Sequence, residues 1–178
     1  MAAAERPEDG SLNIRPLVTG DRDWAARYWR ERWGSERIAL HDRLYDIMDL
    51  AGFVAERDGE PTGVVTYLVT GDECEIMTLD CITQFAGTGT ALVERVKTAA
   101  IGRGCTRLTV TTTNDNLDAL RFYQRRGFRL AAIDPGAVDR QRRTLKPEIP
   151  VVGEYQIPVR DELHLRMDLT LAPDDPAR

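Results

Sequence analysis

Apolar and polar positions alternate from Leu12 to Val18, which predicts a first strand. Asp21 follows where a helix cap belongs, ahead of Trp24, Tyr28 and Trp33 at helical spacing. Leu40, Leu44, Ile47 and Met48 predict a second short helix. Gly52 to Arg57 reads as a strand, Asp58-Gly59 as a hairpin turn, and Gly63 to Thr70 as a long β-branched strand. Gly71-Asp72 then turns the chain into Glu73 to Ile82, a third antiparallel strand in succession. From Thr90 to Arg103 the period becomes helical, with Leu92, Val96 and Ala99 on one stripe. Arg107 to Thr113 is a strand rich in threonine, and Asn114-Asp115-Asn116 caps a helix from Leu117 to Arg126 that Gly127 ends. Phe128 to Ile133 and Asp161 to Thr170 are the closing strands, separated by an irregular stretch, 134–159. Its basic run, Arg140, Arg142, Arg143 and Lys146, reads as a solvated helix face or as a contact for a phosphate. No repeat or linker divides the chain. The expected fold is α+β, an α/β/α sandwich on one central sheet, with an ordered core over 11–171 and flexible polar ends at 1–10 and 172–178.

Composition narrows the function without naming it. The 178 residues carry a net charge of −5 and are 42% hydrophobic and 30% charged. That is an ordinary globular chain without the basic footprint of a nucleic-acid binder. Cys74, Cys81 and Cys105 are odd in number and show no CxxC spacing, which fits reduced thiols rather than a zinc site or disulfides. No apolar run approaches membrane-spanning length, and Met1 to Gly10 has no signal-peptide core. The expected location is the cytoplasm, with no metal.

Two clusters carry the chemistry. Gln84-Phe85-Ala86-Gly87-Thr88-Gly89 joins a strand to a helix. Glycines there let backbone N–H groups converge at a helix N-terminus, a natural seat for a phosphate. Some thirty residues on, Asn116, Ala119 and Tyr123 are spaced three and four apart, and Gly127-Phe128 follow. At about 100° per residue, Asn116 and Tyr123 come to nearly the same side of a helix.

Together, Gln84-x-x-Gly87-x-Gly89 and Asn116-x-x-Ala119-x-x-x-Tyr123-x-x-x-Gly127-Phe128 resemble the GCN5-related N-acetyltransferases (GNAT), over roughly residues 12–133. The resemblance implies a mixed, mostly antiparallel sheet in which two parallel strands splay to admit acetyl-coenzyme A. These would be the strands ending near Ile82 and Thr113. It also implies that Gln84, Gly87 and Gly89 hold the pyrophosphate, with Thr88 and Thr90 beside them. Asn116, Ala119, Phe122 and Tyr123 would line the pantetheine arm, together with Leu79, Cys81 and Ile82. Two departures stand out. Phe85, Ala86 and Thr88 put no cation in the glycine turn, and Cys81 stands where the family often has proline.

Acetyl transfer to an amine needs a proton acceptor, donors for an oxyanion and an acid for the departing thiolate. Backbone N–H groups of Leu79 to Cys81 would meet the oxyanion. Tyr123, whose phenol is protonated at neutral pH, fits the acid. Glu73 and Glu75 share one strand face with Leu79 and Cys81 on simple alternation, and Glu75, farther from the hairpin tip, is the expected base. Asp80 points to the opposite face as a candidate acceptor contact. Trp33, with Tyr45, is a candidate for the acceptor pocket. His41 and His164 stand isolated and read as structural.

The expected activity is therefore acetyl-coenzyme A-dependent acetylation of a primary amine on a small molecule. A protein N-terminus or lysine is the alternative acceptor, and a non-catalytic acyl-coenzyme A sensor the alternative class. Edge pairing through Asp161 to Thr170 offers a route to a homodimer.

Overall fold

The computed structural model describes residues 11–82 and 87–169. The ends expected to be flexible, and Gln84 with its neighbours at 83–86, lie outside the described residues. β1 (Asn13–Pro16) is followed by a single 3₁₀ turn and α1 (Arg22–Trp33). Asp21 does not cap α1 with its side chain. It turns back to accept from the Val18 N–H at 2.8 Å and from both terminal nitrogens of Arg15 at 2.7 Å. The helix stops at Gly34, whose φ of 74° suits glycine.

The second short helix expected around Leu40 to Met48 is instead a hairpin, β2 (Arg37–Leu40) and β3 (Arg43–Asp46), with one 3₁₀ turn after it. His41 and Asp42 make its two-residue turn with φ of 52° and 55°. Both values belong to a primed turn, whose twist suits paired strands. The apolar spacing that imitates a helix is produced by a strand, a turn and a strand in sequence.

β4 (Ala51–Arg57), β5 (Glu60–Thr70) and β6 (Glu73–Cys81) form the expected meander. Asp58-Gly59 supplies the first turn, with φ of 52° and 81°. α2 (Thr88–Gly102) leads to β7 (Arg107–Thr113), α3 (Leu117–Gln124) and β8 (Arg129–Asp134). α4 (Ala137–Thr144) and β9 (Glu162–Asp168) complete the chain.

The main sheet has seven strands in the order β1-β4-β5-β6-β7-β9-β8, and only β6 and β7 run parallel. β9 therefore lies inside the sheet between β7 and β8. Both of its edges are paired, which closes the dimer route expected through Asp161 to Thr170.

Two cores flank the sheet. On one face Leu92, Val93 and Val96 of α2 pack with Tyr123, Phe128, Ile76 and Val110. On the other, Ala25 and Trp29 of α1 pack with Ile38 and Ile47 against Val54, Val64 and Met77. The basic run serves the architecture. Arg142 donates to the carbonyls of Ile149, Pro150 and Val159, and Lys146 Nζ donates to the Arg37 carbonyl at 2.6 Å. Arg140 bridges Asp42 and Asp134, so α4 and the irregular stretch are tied beside the hairpin. Among the described residues no helix is long and apolar enough to cross a membrane.

Candidate active site

β6 and β7 pair over only four positions, from Glu73 opposite Arg107 to Ile76 opposite Val110. β6 then runs on to Cys81 and β7 to Thr113 without touching each other, while β5 and β9 keep their outer edges paired. A wedge opens between them. The Ile82 N–H donates to the Thr62 carbonyl, toward β5. Amides alternate in direction along a strand, so those of Leu79 and Cys81 point the other way, into the wedge.

The register of β6 contains a bulge. Thr66 faces Thr78 and Tyr67 faces Ile76, which leaves Met77 as an extra residue. One extra residue exchanges the two faces beyond it. Glu75 therefore does not share a face with Leu79 and Cys81, as plain alternation had it. Glu75 and Asp80 both face α1 and the hairpin, where His41, Trp29 and Arg32 meet them. Leu79 and Cys81 face α2 and α3.

On that second face Gly87, with φ of 78°, opens α2. A Cβ on Gly89 would lie 3.1 Å from the Phe122 ring and 3.2 Å from Cys81 Sγ, so glycine is what lets α2, α3 and β6 approach. Thr88 is buried and its hydroxyl has no partner among the described residues. Tyr123 is buried on α3, edge-on to Phe122 and Phe128. Burial, then the charges of Asp80 and Cys81, hold its phenol well above the usual range, so it stays protonated. Asn116 stands at the N-cap rather than within α3. Its Oδ1 accepts from the Ala119 N–H at 2.9 Å, which leaves the amide NH₂ unspent by the cap. Ile82 is half exposed at the end of β6.

A cation absent from the glycine turn arrives from the turn that follows α3. Arg126 lies over the Phe122 ring at 3.5 Å, and its Nε donates to Thr90 Oγ1 at 3.0 Å. Its guanidinium thus stands at the first turn of α2. The signal was the position of Arg126 one turn past Tyr123.

The α1 face holds a second set that spacing along the chain does not reveal. His41 Nε2 lies 2.8 Å from Glu75 Oε1, and the His41 ring stacks on His164 with centroids 5.3 Å apart. Thr111 Oγ1 donates to Glu75 at 2.9 Å and lies 3.0 Å from His164 Nδ1, from which it can accept. These four line a cavity of about 210 Å³. Glu75, by hydrogen bond and charge, raises the His41 pKa against the opposing effect of burial. Buried Glu162 accepts from Gln141 at 2.7 Å. His41, Glu162 and His164 bring donor atoms within 4.8 Å of one another, the one such set among the described residues, although Glu75 and Gln141 already occupy two of the three. Trp33 and Tyr45 are half-buried and pack against the Trp29 cluster. Asp80, 3% exposed, accepts from Trp29 Nε1 and Arg32 Nε.

The model of the acetyltransferase (GNAT) family matches residues 22–128. YxbD, an uncharacterized Bacillus subtilis (strain 168) protein, is 36% identical over 159 residues, covering 89% of this chain and 99% of its own. An IAA acetyltransferase from Bacillus cereus ATCC 14579 superposes with a TM-score of 0.66 at 23% identity, over 89% of this chain and 100% of that one. A GNAT acetyltransferase from Elizabethkingia anophelis, solved with acetyl-CoA bound, gives 0.66 at 21% identity over 89% and 98%. The two structures show the fold, and the family model extends over more than half the sequence: the chain belongs to the GNAT family of acetyltransferases.

Proposed function

We propose that the protein moves the acetyl group of acetyl-coenzyme A to a primary amine of a small molecule, by direct attack of the amine on the thioester. The carrying observation is the wedge after Ile76 and Val110, with the Leu79 and Cys81 amides aimed into it. An extended pantetheine arm completes such a wedge in the manner of an added strand. The Elizabethkingia protein of the same fold holds acetyl-CoA. The pyrophosphate then lies on the first turn of α2, met by N–H groups near Gly87, Thr88 and Gly89, with Arg126 adding charge.

An alkylammonium, with a pKa near 10, must lose a proton before it attacks. Glu75, hydrogen-bonded to His41 at the cavity, receives that proton through a water. The oxyanion of the tetrahedral intermediate meets the Leu79 N–H, and Tyr123 gives its proton to the departing thiolate. A small acceptor fits the recess of about 210 Å³ beside Glu75 and His41. The hairpin tip at His41 borders that recess, and Asp42 beside it is tied to Arg140 of α4.

The test is release of free thiol from acetyl-coenzyme A in the presence of an amine panel. Turnover that falls about a hundredfold or more in Tyr123→Phe, with coenzyme affinity kept, is the expected result. Coenzyme binding without turnover on any amine would leave a sensor module instead.

A further inference from the structure

Asp80 is a buried carboxylate whose one cationic partner among the described residues, Arg32, sits on the surface. Its side chain is 2% exposed, whereas Arg32, on the last turn of α1, is 51% exposed. Arg32 Nε donates to Oδ1 at 2.9 Å, and Trp29 Nε1 donates to Oδ2 at 3.3 Å. Leaving a carboxylate in such a place without a cation is costly, and an exposed, flexible arginine satisfies it only at the expense of its own freedom.

The position matters as much as the burial. Asp80 lies between Leu79 and Cys81, the two residues whose amides enter the wedge, and faces the side opposite α2 and α3. The groups around it are Tyr28, Trp29 and Arg32 from α1, Cys81 from β6 and Tyr123 from α3. Of these only Arg32 is cationic at neutral pH. Burial pushes the carboxyl up to about 6, so it is mostly ionised at pH 7 yet poorly compensated.

We propose that Asp80 is the seat of the acceptor's ammonium group, and that Arg32 holds this seat in the free enzyme and leaves it when a cationic acceptor arrives. The inference rests on the acetyl-transfer reading above and adds a substrate class to it: an alkylammonium compound, with no carboxylate next to the reacting nitrogen. A carboxylate there would meet the charge of Asp80 itself. The arriving ammonium replaces the charge that Arg32 withdraws, so the buried carboxylate is not left without a cation. Asp80 fixes the amine beside the wedge, and the proton leaves through water toward the Glu75–His41 cavity farther back along the same face of β6.

The experiment measures binding of 1,4-diaminobutane and of glycine to the full chain loaded with coenzyme A, by calorimetry, alongside thiol-release kinetics. Asp80→Asn should weaken diaminobutane about tenfold or more while coenzyme affinity is unchanged. Arg32→Ala, which removes the competing cation from the seat, should tighten diaminobutane about threefold and leave glycine no tighter. A purely structural ion pair predicts no such gain. Diaminobutane binding unchanged in Asp80→Asn, or absent from the wild type, would overturn the proposal. So would loss of a glycine contact in Arg32→Ala with diaminobutane unaffected, since Arg32 would then be a carboxylate binder. Retained diaminobutane binding without thiol release on any amine would sink the acetyl-transfer reading and leave the ammonium seat standing.

Discussion

His41 Nε2 and Glu75 Oε1 stand 2.8 Å apart, joining the tip of the β2–β3 hairpin to the strand that borders the wedge. Glu75 raises the pKa of His41, first through the hydrogen bond.

If this pair receives the amine's proton, activity should rise with pH as His41 loses its own. The acid limb of kcat/KM should then lie above the ordinary histidine value. Glu75→Gln should move that limb to lower pH, and His41→Ala should reduce kcat by about tenfold to a hundredfold. Stability follows the opposite direction. A raised histidine contributes fully below the unfolded pKa of about 6.5 and ceases to contribute as pH rises through its folded value. His41→Ala should therefore lower Tm at pH 6 more than at pH 9. An acid limb identical in wild type and Glu75→Gln would remove the pair from the mechanism.

The strands and most turns were legible because local chemistry dictates them. Asp58-Gly59 can take the two positive φ values of a hairpin turn, and the period change after Gly89 marks a helix. The β2–β3 hairpin was hidden because His41 and Asp42 make a primed turn without glycine. Met77 gave no sign of its bulge, since an extra residue in a strand is defined by the partner strand, here Thr66 and Tyr67. That one residue decides which face Glu75 and Asp80 share. The His41–Glu75–Thr111–His164 set is a product of topology: β7 and β9 are neighbours only after the chain has crossed through α4. Its members therefore look isolated in sequence.

Arg126 should supply the charge that the glycine turn lacks. Its guanidinium lies against Phe122 and Thr90 at the start of α2. Arg126→Ala should weaken coenzyme A binding by about tenfold, and the remaining affinity should depend less on salt. Calorimetry at two ionic strengths checks both effects. Dephospho-coenzyme A separates a contact with the pyrophosphate, which it retains, from one with the 3′-phosphate, which it lacks.

Asp21 anchors the entry to α1 and should matter for stability rather than catalysis. Its carboxylate accepts from Arg15, the Val18 N–H and Trp24 Nε1, and the Arg15 hydrogen bond leads in lowering its pKa to about 2. A lowered acid contributes above its unfolded value near 4, and the contribution is lost as pH falls toward 2. The shift corresponds to about 2 kcal/mol. Asp21→Asn should cost about that much at pH 7 and little at pH 2.5, as read by urea unfolding, with thiol-release kinetics unchanged at 25 °C. Equal destabilisation at both pH values would mean that charge is not what Asp21 contributes.

Asp80 should show the reverse, the signature of a charge kept for function. Its carboxyl is raised to about 6 because burial outweighs Arg32 and Trp29. Between pH 4 and 6 the folded chain binds more protons than the unfolded one, so stability falls as pH rises through this window. Above it the full cost remains, about 3 kcal/mol for a shift of about two units. Asp80→Asn removes the charge yet keeps an oxygen for the Trp29 and Arg32 donors. The variant should be more stable than wild type at pH 7.5 by about 1–3 kcal/mol, should lose that advantage by pH 4, and should acetylate amines poorly. Thermal and urea unfolding at the two pH values provide the comparison. A variant less stable at pH 7.5 would mean that the Arg32 ion pair outweighs the burial, and that Asp80 is held for architecture.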